Sequence, residues 1–263
     1  MLMQVDVSRI LETLHGRHLI PETCRAALLV GSAARGWSNR KSDFDIYLVS
    51  TVPRSGAEFV DVSVPLQPPV VQWHTFYADN RGWDLAYWLD DQVDQMLDKV
   101  SWKQFDRVRS ESGDALTLRE EGFLERLATC VPLIGEDWLT RRRAALDESA
   151  FKSVMVTRSL GAADRAIEDT LGQLEERDLN SATLSARMAL RHTVDALLEE
   201  QGQYESNNLK WRARRFQLAN PSKLSFAHYW ELETMRDFDP EDPSKWINEV
   251  LTLCQDLALK IEA

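Results

Sequence analysis

The sequence predicts an α+β protein, with a mixed β-sheet in residues 1–115 and helices alone in residues 116–263. Short apolar and β-branched runs bounded by Gly, Pro or Asp stand before residue 115, and apolar residues at helical spacing follow it. A chain of 263 residues fits two modest domains, and its 44% hydrophobic content suffices to bury a core. We therefore predict two domains, 1–115 and 116–263.

The first half shows both kinds of periodicity. Ile10, Leu11 and Leu14 fall on one face of a helix over residues 5–15. Apolar, β-branched and aromatic runs predict strands at 26–31, 43–50, 70–77 and 82–89, with an edge strand at 59–64. Residues 32–42 predict a turn or a short helical crossover, and Asp90 and Asp91 are expected to cap a helix from Gln92 to about Phe105.

The second half predicts helices without strands. Helical spacing covers residues 119–130, 149–176, 181–201 and 246–261. Asn180 and Ser181 are typical of a helix start, and Gly202 is typical of a helix end.

The net charge and the cysteine content disfavour several classes of function. A net charge of −11 disfavours a nucleic-acid partner and fits a cationic small molecule or a metal-bound nucleotide. Cys24, Cys130 and Cys254 are far apart, so neither a disulfide framework nor a zinc site is expected. Without a signal peptide or an apolar run of about 18 residues, we expect a cytoplasmic protein with no membrane partner.

One sequence motif indicates a site for a metal ion and a phosphate. Gly31-Ser32 ends the predicted strand at 26–31, and Asp43-Phe44-Asp45 opens the next strand ten residues later. Carboxylates two apart on a strand share one face and repel each other unless a cation lies between them. Oxygen-rich sites of this kind suit Mg²⁺, which completes its shell with substrate phosphates. A Gly-Ser turn can offer N–H groups and a hydroxyl to a phosphate, and the linker with Arg35 can neutralise its charge.

This stretch, Leu-Val-Gly-Ser-Ala-Ala-Arg-Gly-Trp-Ser-Asn-Arg-Lys-Ser-Asp-Phe-Asp-Ile-Tyr-Leu-Val, resembles the signature of the polymerase-β-like nucleotidyltransferase superfamily. The resemblance is strongest to small-molecule antibiotic nucleotidyltransferases of the aminoglycoside type. It implies a third carboxylate that ligates the catalytic metal and serves as the base, and Asp84 in Gly-Trp-Asp-Leu-Ala-Tyr-Trp is the best match. Asp79 is the second choice, but its neighbours Asn80 and Arg81 are typical of a turn.

The resemblance also implies roles outside the acids. Gly31, Ser32, Arg35 and Ser42 are assigned to triphosphate binding. In the helical half, Lys210 of a Lys-Trp pair is expected to reach the phosphates, against the alternative of a basic helix face at 212–215 that is solvated or paired with acids. Further aromatic and histidine candidates have weaker support. Trp83, Trp88, Tyr204 and Trp211 are possible pocket or stacking residues, whereas His74 and His192 are better explained as structural.

Taken together, the residues and the resemblance predict an enzyme that uses two Mg²⁺ ions to transfer a nucleoside monophosphate, AMP from ATP in the first instance, to a hydroxyl of a small cationic acceptor such as an aminoglycoside. Pyrophosphate is the other product. Two alternatives stay open: a toxin-like nucleotidyltransferase that modifies a protein or tRNA, and a non-catalytic nucleotide-binding module. The acceptor, the nucleobase and the oligomeric state are not determined by the sequence.

Overall fold

The structure is a computed structural model that describes residues 6–54, 56–111 and 116–263, without the side chains of 108–111. The chain forms two compact units, Met1–Ala150 and Phe151–Ala263. The division follows Ala150 rather than residue 115, because a strand at 131–134 pairs with the sheet of the first unit and the helices on either side of it pack there too.

The first unit is built on a mixed sheet, as predicted, and this sheet has six strands, one more than expected. Its strands are β1 Cys24–Val30, β2 Phe44–Ser50, β3 Val60–Ser63, β4 Val70–Ala78, β5 Arg81–Leu89 and β6 Val131–Ile134. They lie in the order β3-β4-β5-β2-β1-β6. The pair β2–β5 is parallel, whereas the other four pairs are antiparallel. This parallel pair holds the residues of the candidate site.

The described residues of this unit form six helices: α1 Val7–Gly16, α2 Gly31–Ala34, α3 Asp90–Lys99, α4 Trp102–Glu111, α5 Leu118–Thr129 and α6 Glu136–Glu148. Ile10 and Leu14 of α1 pack on one sheet face, against a core that includes Ile46, Leu85 and Trp83. The strand residues of opposite parity, among them Asp45 and Asp84, face the other side. Tyr47, Val49 and Trp88 on that second face are buried too, partly beneath Phe123 of α5, and the candidate site lies on the same face.

Three expectations for the first half need correction. Strands do not end at residue 115, since β6 follows α5. The helix expected from Gln92 to about Phe105 is two helices, α3 and α4, separated at residues 100–101. Asp90 and Asp91 lie in the first turn of α3 rather than at its cap. The free backbone N–H of Leu89 is satisfied instead by the Gln92 side chain at 3.0 Å.

The second unit contains helices and no strand among its residues, all of which the structure describes. Its helices are α7 Phe151–Glu175, α8 Leu179–Glu200, α9 Arg212–Ala219, α10 Phe226–Glu233 and α11 Ser244–Ala258, with a 3₁₀ turn at Leu209–Trp211. The cap of α8 is Asp178, whose carboxylate accepts from the Ser181 backbone N–H, and not the Asn180-Ser181 pair. Gly202 follows the helix end at a φ of 71°, the left-handed conformation that glycine favours.

The arginines of the predicted basic face are partly buried. Arg212 and Arg215 are 4% and 0% exposed, and both pair with the buried carboxylate of Asp195. Arg214 is exposed. Two of the three arginines thus stabilise the unit internally, because a buried charge needs a hydrogen-bonded partner of opposite sign.

No helix among the described residues is both long enough and apolar enough to cross a membrane.

Candidate functional site

The candidate site lies where β2 and β5 run side by side. Asp45 and Asp84 are register partners across this parallel pair, so their side chains leave the same face of the sheet. Asp43 directly precedes β2 and shares the parity of Asp45. Val30, the last residue of β1, pairs with Asp45 on the other side. The fold therefore brings together on one face the three acids that were separated in sequence.

Two glycines make room for two of these carboxylates. A Cβ on Gly82 would lie 2.4 Å from Asp43 Oδ1, and a Cβ on Gly31 would lie 2.6 Å from Asp45 Oδ2. Both distances are far below van der Waals contact, so any larger residue would displace the acid. Gly31 also has a φ of 66°, which a side chain at this position would strain. The motif reading identified Gly31 but missed Gly82, although Gly82 stands two residues before Asp84 on the same strand face.

The ionisation of Asp84 is perturbed in the direction expected of a base. Its pKa is raised, first by burial and then by the negative charge of Asp43. Trp73 opposes the shift by donating a hydrogen bond to the carboxylate, and the positive charge of Arg126 also lowers the pKa. A carboxyl with a raised pKa accepts a proton more readily near neutral pH. Trp73 and Arg126 were not singled out by the sequence, because neither is near Asp84 along the chain.

A pocket adjoins the acids on the same face of the sheet. It has a volume of about 550 Å³ and is lined by Tyr47, Ser63, Pro65, Trp73, Trp88, Thr117, Leu118, Arg119, Gly122 and Arg126. Trp73 belongs both to this wall and to the surroundings of Asp84. The pocket size falls within the range of about 300–1,000 Å³ for small-molecule sites.

Tyr47 connects the pocket wall to the acids along β2. Its hydroxyl accepts a hydrogen bond from the Arg126 guanidinium, and its ring stacks on Phe123 at 5.4 Å between centroids. Burial raises the pKa of the Tyr47 phenol, while the nearby charges of Arg126 and Arg119 oppose the shift. Both arginines therefore act electrostatically on the same part of the wall.

The two tryptophans considered for the pocket are on opposite faces. Trp88 lines the pocket, whereas Trp83 is 1% exposed in the core beneath the sheet, where its indole N–H donates to the Ala78 carbonyl. Residues 83 and 88 have opposite parity on β5, so the alternation of a strand already separates them. His74 points to the core side as well, and its Nδ1 contacts the Glu58 carbonyl oxygen at 3.0 Å.

Asp79, the second choice for the third acid, is in a turn as its neighbours indicated. Asp79 and Asn80 both have positive φ values, 52° and 58°, between β4 and β5. The Asp79 carboxylate pairs with Arg9 at 3.2 Å. Two positive-φ residues are typical of the two-residue turn of a β-hairpin.

The remaining motif residues surround the start of β2. Ser32 is in α2, and its carbonyl accepts from the backbone N–H groups of Trp37 and Ser38 at 2.8 and 3.1 Å. The guanidinium of Arg35 lies 4.1 Å from the centre of the Trp37 ring. The Ser42 hydroxyl accepts from the Asn39 backbone N–H at 2.9 Å, so its position fixes the turn before Asp43.

Lys210 belongs to the second unit. It is exposed in the 3₁₀ turn, and its Nζ lies 5.6 Å from the centre of the Trp211 ring. Arg214 lies 5.3 Å from the same ring, so Trp211 is flanked by two cations. Tyr204 packs on Phe151 at 5.0 Å between ring centres. Phosphate contact by Lys210 stays a prediction.

The side chains that could bind a metal at the site are the carboxylates of Asp43, Asp45 and Asp84. Within the part of the chain that the structure describes, no group of three or more His, Cys, Asp or Glu is already arranged to hold a metal ion. The donors at the site are all carboxylate oxygens, and the charge of Asp43 raises the pKa of Asp84. That mutual repulsion and the oxygen-only chemistry fit a hard cation whose shell is completed by phosphate oxygens.

Comparison with known proteins leaves the family open. No family model matches the chain, and no curated protein is significantly similar to it in sequence. Among solved structures, a nucleotidyltransferase-like protein from Exiguobacterium sibiricum 255-15 aligns with 97% of this chain and 74% of its own, at 10% identity and a TM-score of 0.49. A likeness of that degree is too low to assign a family or a function.

Proposed function

We propose that this protein transfers a nucleoside monophosphate from a nucleoside triphosphate, ATP in the first instance, to a hydroxyl group of a small acceptor. The observation that carries the proposal is the pairing of Asp45 with Asp84 on adjacent parallel strands, with Asp43 on the same face. The Gly31-Ser32 turn adjoins this pair, because Val30 is the register partner of Asp45. These are the parts that nucleotidyl transfer requires: carboxylates for metal-bound phosphates and a separate carboxylate for a proton.

Asp43 and Asp45 would hold two Mg²⁺ ions, and Asp84 would share one of them. When bound, Mg²⁺ neutralises the triphosphate and polarises the α-phosphate. Gly31 and Asp45 are in contact distance, so the backbone of the Gly31-Ser32 turn is next to the metal-binding acid. Arg35 would add positive charge near the phosphates.

Asp84 would act as the base. As the acceptor oxygen forms its bond to the α-phosphorus, the bond from that phosphorus to the bridging β-phosphate oxygen breaks and pyrophosphate leaves. The hydroxyl proton passes to the Asp84 carboxylate. Its raised pKa and half-buried position suit this role, since proton transfer is most efficient when the catalytic pKa is close to the working pH.

The pocket beside Asp84 indicates the size of the acceptor. A pocket of about 550 Å³ beside Asp84 favours a small molecule over a protein or tRNA. The expectation of an aminoglycoside-like polycation comes from the net charge of −11 and from the resemblance to aminoglycoside-type nucleotidyltransferases. The described part of the pocket wall contains Arg119 and Arg126, and the acid that adjoins it, next to Trp73, is Asp84.

The experiment is a pyrophosphate-release assay with Mg²⁺, each of the four nucleoside triphosphates, and a panel of hydroxyl acceptors that includes aminoglycosides. We expect release that depends on Mg²⁺ and an acceptor. The double variant Asp43→Asn/Asp45→Asn should reduce the rate by about a hundredfold or more, because metal-assisted charge stabilisation contributes several kcal/mol. The matched control is Asp91→Asn/Asp98→Asn, which changes two exposed acids on α3.

Each alternative predicts a different result. Tight ATP binding without release, for every acceptor, would support the non-catalytic module. Release only with protein or RNA acceptors would support the macromolecular alternative. A fully active, folded Asp43→Asn/Asp45→Asn variant would refute the assignment of the metal-binding acids.

A further inference from the structure

Arg165 and His192 face each other across the two long helices of the second unit, α7 and α8. These helices pack against each other in opposite directions, and Arg158 of α7 lies 3.8 Å from Glu199 of α8. Seven residues make two helical turns to within about 20°. A step of seven residues along each helix, toward the turn that joins them, leads from that pair to Arg165 and His192. These two residues therefore occupy equivalent facing positions about 10 Å farther along the helices.

Positive charge is concentrated around His192. Burial lowers the pKa of His192, and the negative charge of Asp195 opposes this shift. The positive charges of Arg191, Arg212 and Arg165 lower the pKa further. Because such interactions are largely screened beyond about 10 Å, all three guanidinium groups lie near the imidazole. Arg212 is bonded to the Asp195 carboxylate, at 2.9 and 3.1 Å, so its charge is already compensated.

The other two guanidinium groups have no acidic partner. Neither Arg165 nor Arg191 forms an ion pair with any residue that the structure describes. The Nε of Arg191 is buried, and no described residue accepts a hydrogen bond from it. A buried donor of a charged group destabilises the folded protein unless it gains an acceptor. Arg165 lies along its own helix, with Nη1 3.8 Å from the position of a Cβ on Gly161.

This group of side chains is rich in hydrogen-bond donors. A guanidinium has five N–H donors in one plane and no acceptor, and a neutral imidazole adds one further donor. Guanidinium groups bind phosphate oxygens in pairs, with charge-assisted bonds that are stronger than neutral ones. The oxygens of a phosphate point in several directions, so donors from two helices can bind it at the same time. The arrangement therefore favours a phosphate ligand.

We propose that Arg165, Arg191 and His192 bind a phosphate group on the surface that α7 and α8 share. The ligand is a small phosphate compound, either inorganic phosphate or the phosphate of a nucleotide, and its binding needs no metal. The net charge of −11 disfavours a nucleic acid as the source of the phosphate. The inference goes beyond the proposed nucleotidyl transfer and does not depend on it, because all three residues belong to the second unit.

Isothermal titration with inorganic phosphate and with AMP, in a chloride buffer of constant ionic strength without metal, tests the proposal. We expect saturable binding with a Kd of about 1 mM or tighter, as a few charge-assisted hydrogen bonds imply. Arg165→Gln and Arg191→Gln should each weaken binding at least about tenfold. Arg191→Lys keeps the charge and should fall between Arg191→Gln and the unmodified protein. The matched control is Arg141→Gln, which changes an exposed arginine on α6 and should bind normally.

The variant Arg191→Met separates ligand binding from a structural role. Methionine keeps the length of the side chain and removes both the charge and the unsatisfied donor. In phosphate-free buffer, its melting temperature should therefore be no lower than that of the unmodified protein. Phosphate should raise the melting temperature of the unmodified protein more than that of Arg191→Met. A lower melting temperature of Arg191→Met without phosphate would show that the guanidinium stabilises the helices, and would contradict the proposal.

The titrations can also overturn the proposal. Absence of saturable binding of both probes would refute the phosphate site. Equal affinity of Arg191→Gln and Arg141→Gln would show that any phosphate bound is adventitious. Loss of binding in Asp43→Asn/Asp45→Asn but not in Arg191→Gln would place the phosphate at the acids of the first unit.

The two probes distinguish the sources of the phosphate. If AMP binds more tightly than inorganic phosphate and both arginine variants lose it, the site recognises a nucleotide. If both probes bind equally, the site recognises phosphate alone, and either result supports the proposal. Absence of pyrophosphate release in the transfer assay would count against the proposed reaction and not against this site, because the titrations involve neither metal nor catalysis.

Discussion

Asp45 on β2 and Asp84 on β5 are register partners in the parallel pair of an otherwise antiparallel sheet. The parallel arrangement follows from the hairpin of β4 and β5, which returns the chain beside β2 in the same direction. Because partners across a pair face the same side, the arrangement converts two distant carboxylates into neighbours.

Gly82→Ala should inactivate the protein without unfolding it. The added methyl group would overlap Asp43 Oδ1, 2.4 Å away, and push the carboxylate out of place. A misplacement of about 1 Å at a reacting centre costs about a hundredfold in rate. Since Asp43 is exposed and free to turn outward, the free energy of unfolding should change by no more than about 1 kcal/mol. Rates from pyrophosphate release and urea denaturation provide the two measurements.

Gly172→Ala is the control for that substitution. Gly172 lies within α7 with no atom near its missing Cβ, so alanine there should stabilise the helix by about 0.5–1 kcal/mol and leave the rate unchanged. Equal rates for Gly82→Ala and Gly172→Ala would show that the position of Asp43 does not matter for activity.

Trp73→Phe should shift the pH dependence of transfer. Phenylalanine keeps an aromatic ring at this position but lacks the indole N–H, which donates to the Asp84 carboxylate and lowers the pKa of Asp84. Without that bond the pKa of Asp84 rises further. Because the base works as a carboxylate, activity is lost as pH falls through this pKa, and the acid limb of kcat/KM should move to higher pH. A pH profile of kcat/KM measures the shift.

Trp102→Phe provides the matched comparison. Its indole N–H donates to the Glu148 carbonyl at 3.0 Å, and the residue does not line the pocket. The acid limb of the kcat/KM profile of Trp102→Phe should coincide with that of the unmodified protein. A Trp73→Phe profile that is lower at every pH but not displaced would indicate a packing role for Trp73 and no effect on Asp84.

Glu199→Gln should remove a pH dependence of stability in the second unit. Burial and the charge of Asp195 raise the pKa of Glu199 from its ordinary value of 4.5 to about 8. The folded state therefore retains a proton that the unfolded chain releases. The associated stability is fully present below pH 4.5 and is lost as pH rises toward about 8. Glutamine mimics the neutral acid. Between about pH 5 and pH 8, the melting temperature of Glu199→Gln should therefore fall less than that of the unmodified protein.

Glu168→Gln, at an exposed position of α7, should melt with the pH dependence of the unmodified protein. If the melting temperatures of Glu199→Gln and Glu168→Gln depend on pH in the same way, then the pKa of Glu199 does not differ between the folded and unfolded states. Thermal unfolding followed by circular dichroism is sufficient for the comparison.

The sequence predicted the parts of the fold whose signals are local. The runs at 43–50 and 82–89 became β2 and β5, and the two-residue alternation placed Asp43 and Asp45 on one face. The helical spacing at 149–176 and 181–201 likewise became α7 and α8. By contrast, β6 has only four residues and includes Pro132, which its edge position tolerates. So short a segment between two helices carries no usable periodicity.

Site residues within a local strand motif could be predicted from the sequence. Residues brought to the site by the register between strands, or by helix packing, could not. Trp73 reaches Asp84 because β4 pairs with β5 so that Thr75 is opposite Asp84 and Trp73 lies diagonally from it. Arg126 comes from α5, whose packing on the sheet no motif describes. Gly82 was within reach of sequence reasoning, since a glycine two residues before an acid on the same strand leaves space above that face.

Binding of Mn²⁺ with a non-hydrolysable ATP analogue, followed by electron paramagnetic resonance, tests the central claim most directly. The claim is that Asp43, Asp45 and Asp84 form one metal-and-triphosphate site. We expect the protein to bind the Mn²⁺–analogue complex and Asp43→Asn/Asp45→Asn to bind it at least about tenfold more weakly, as the loss of charged ligands implies. The control Asp91→Asn/Asp98→Asn should bind normally. Equal binding by both double variants would contradict the account.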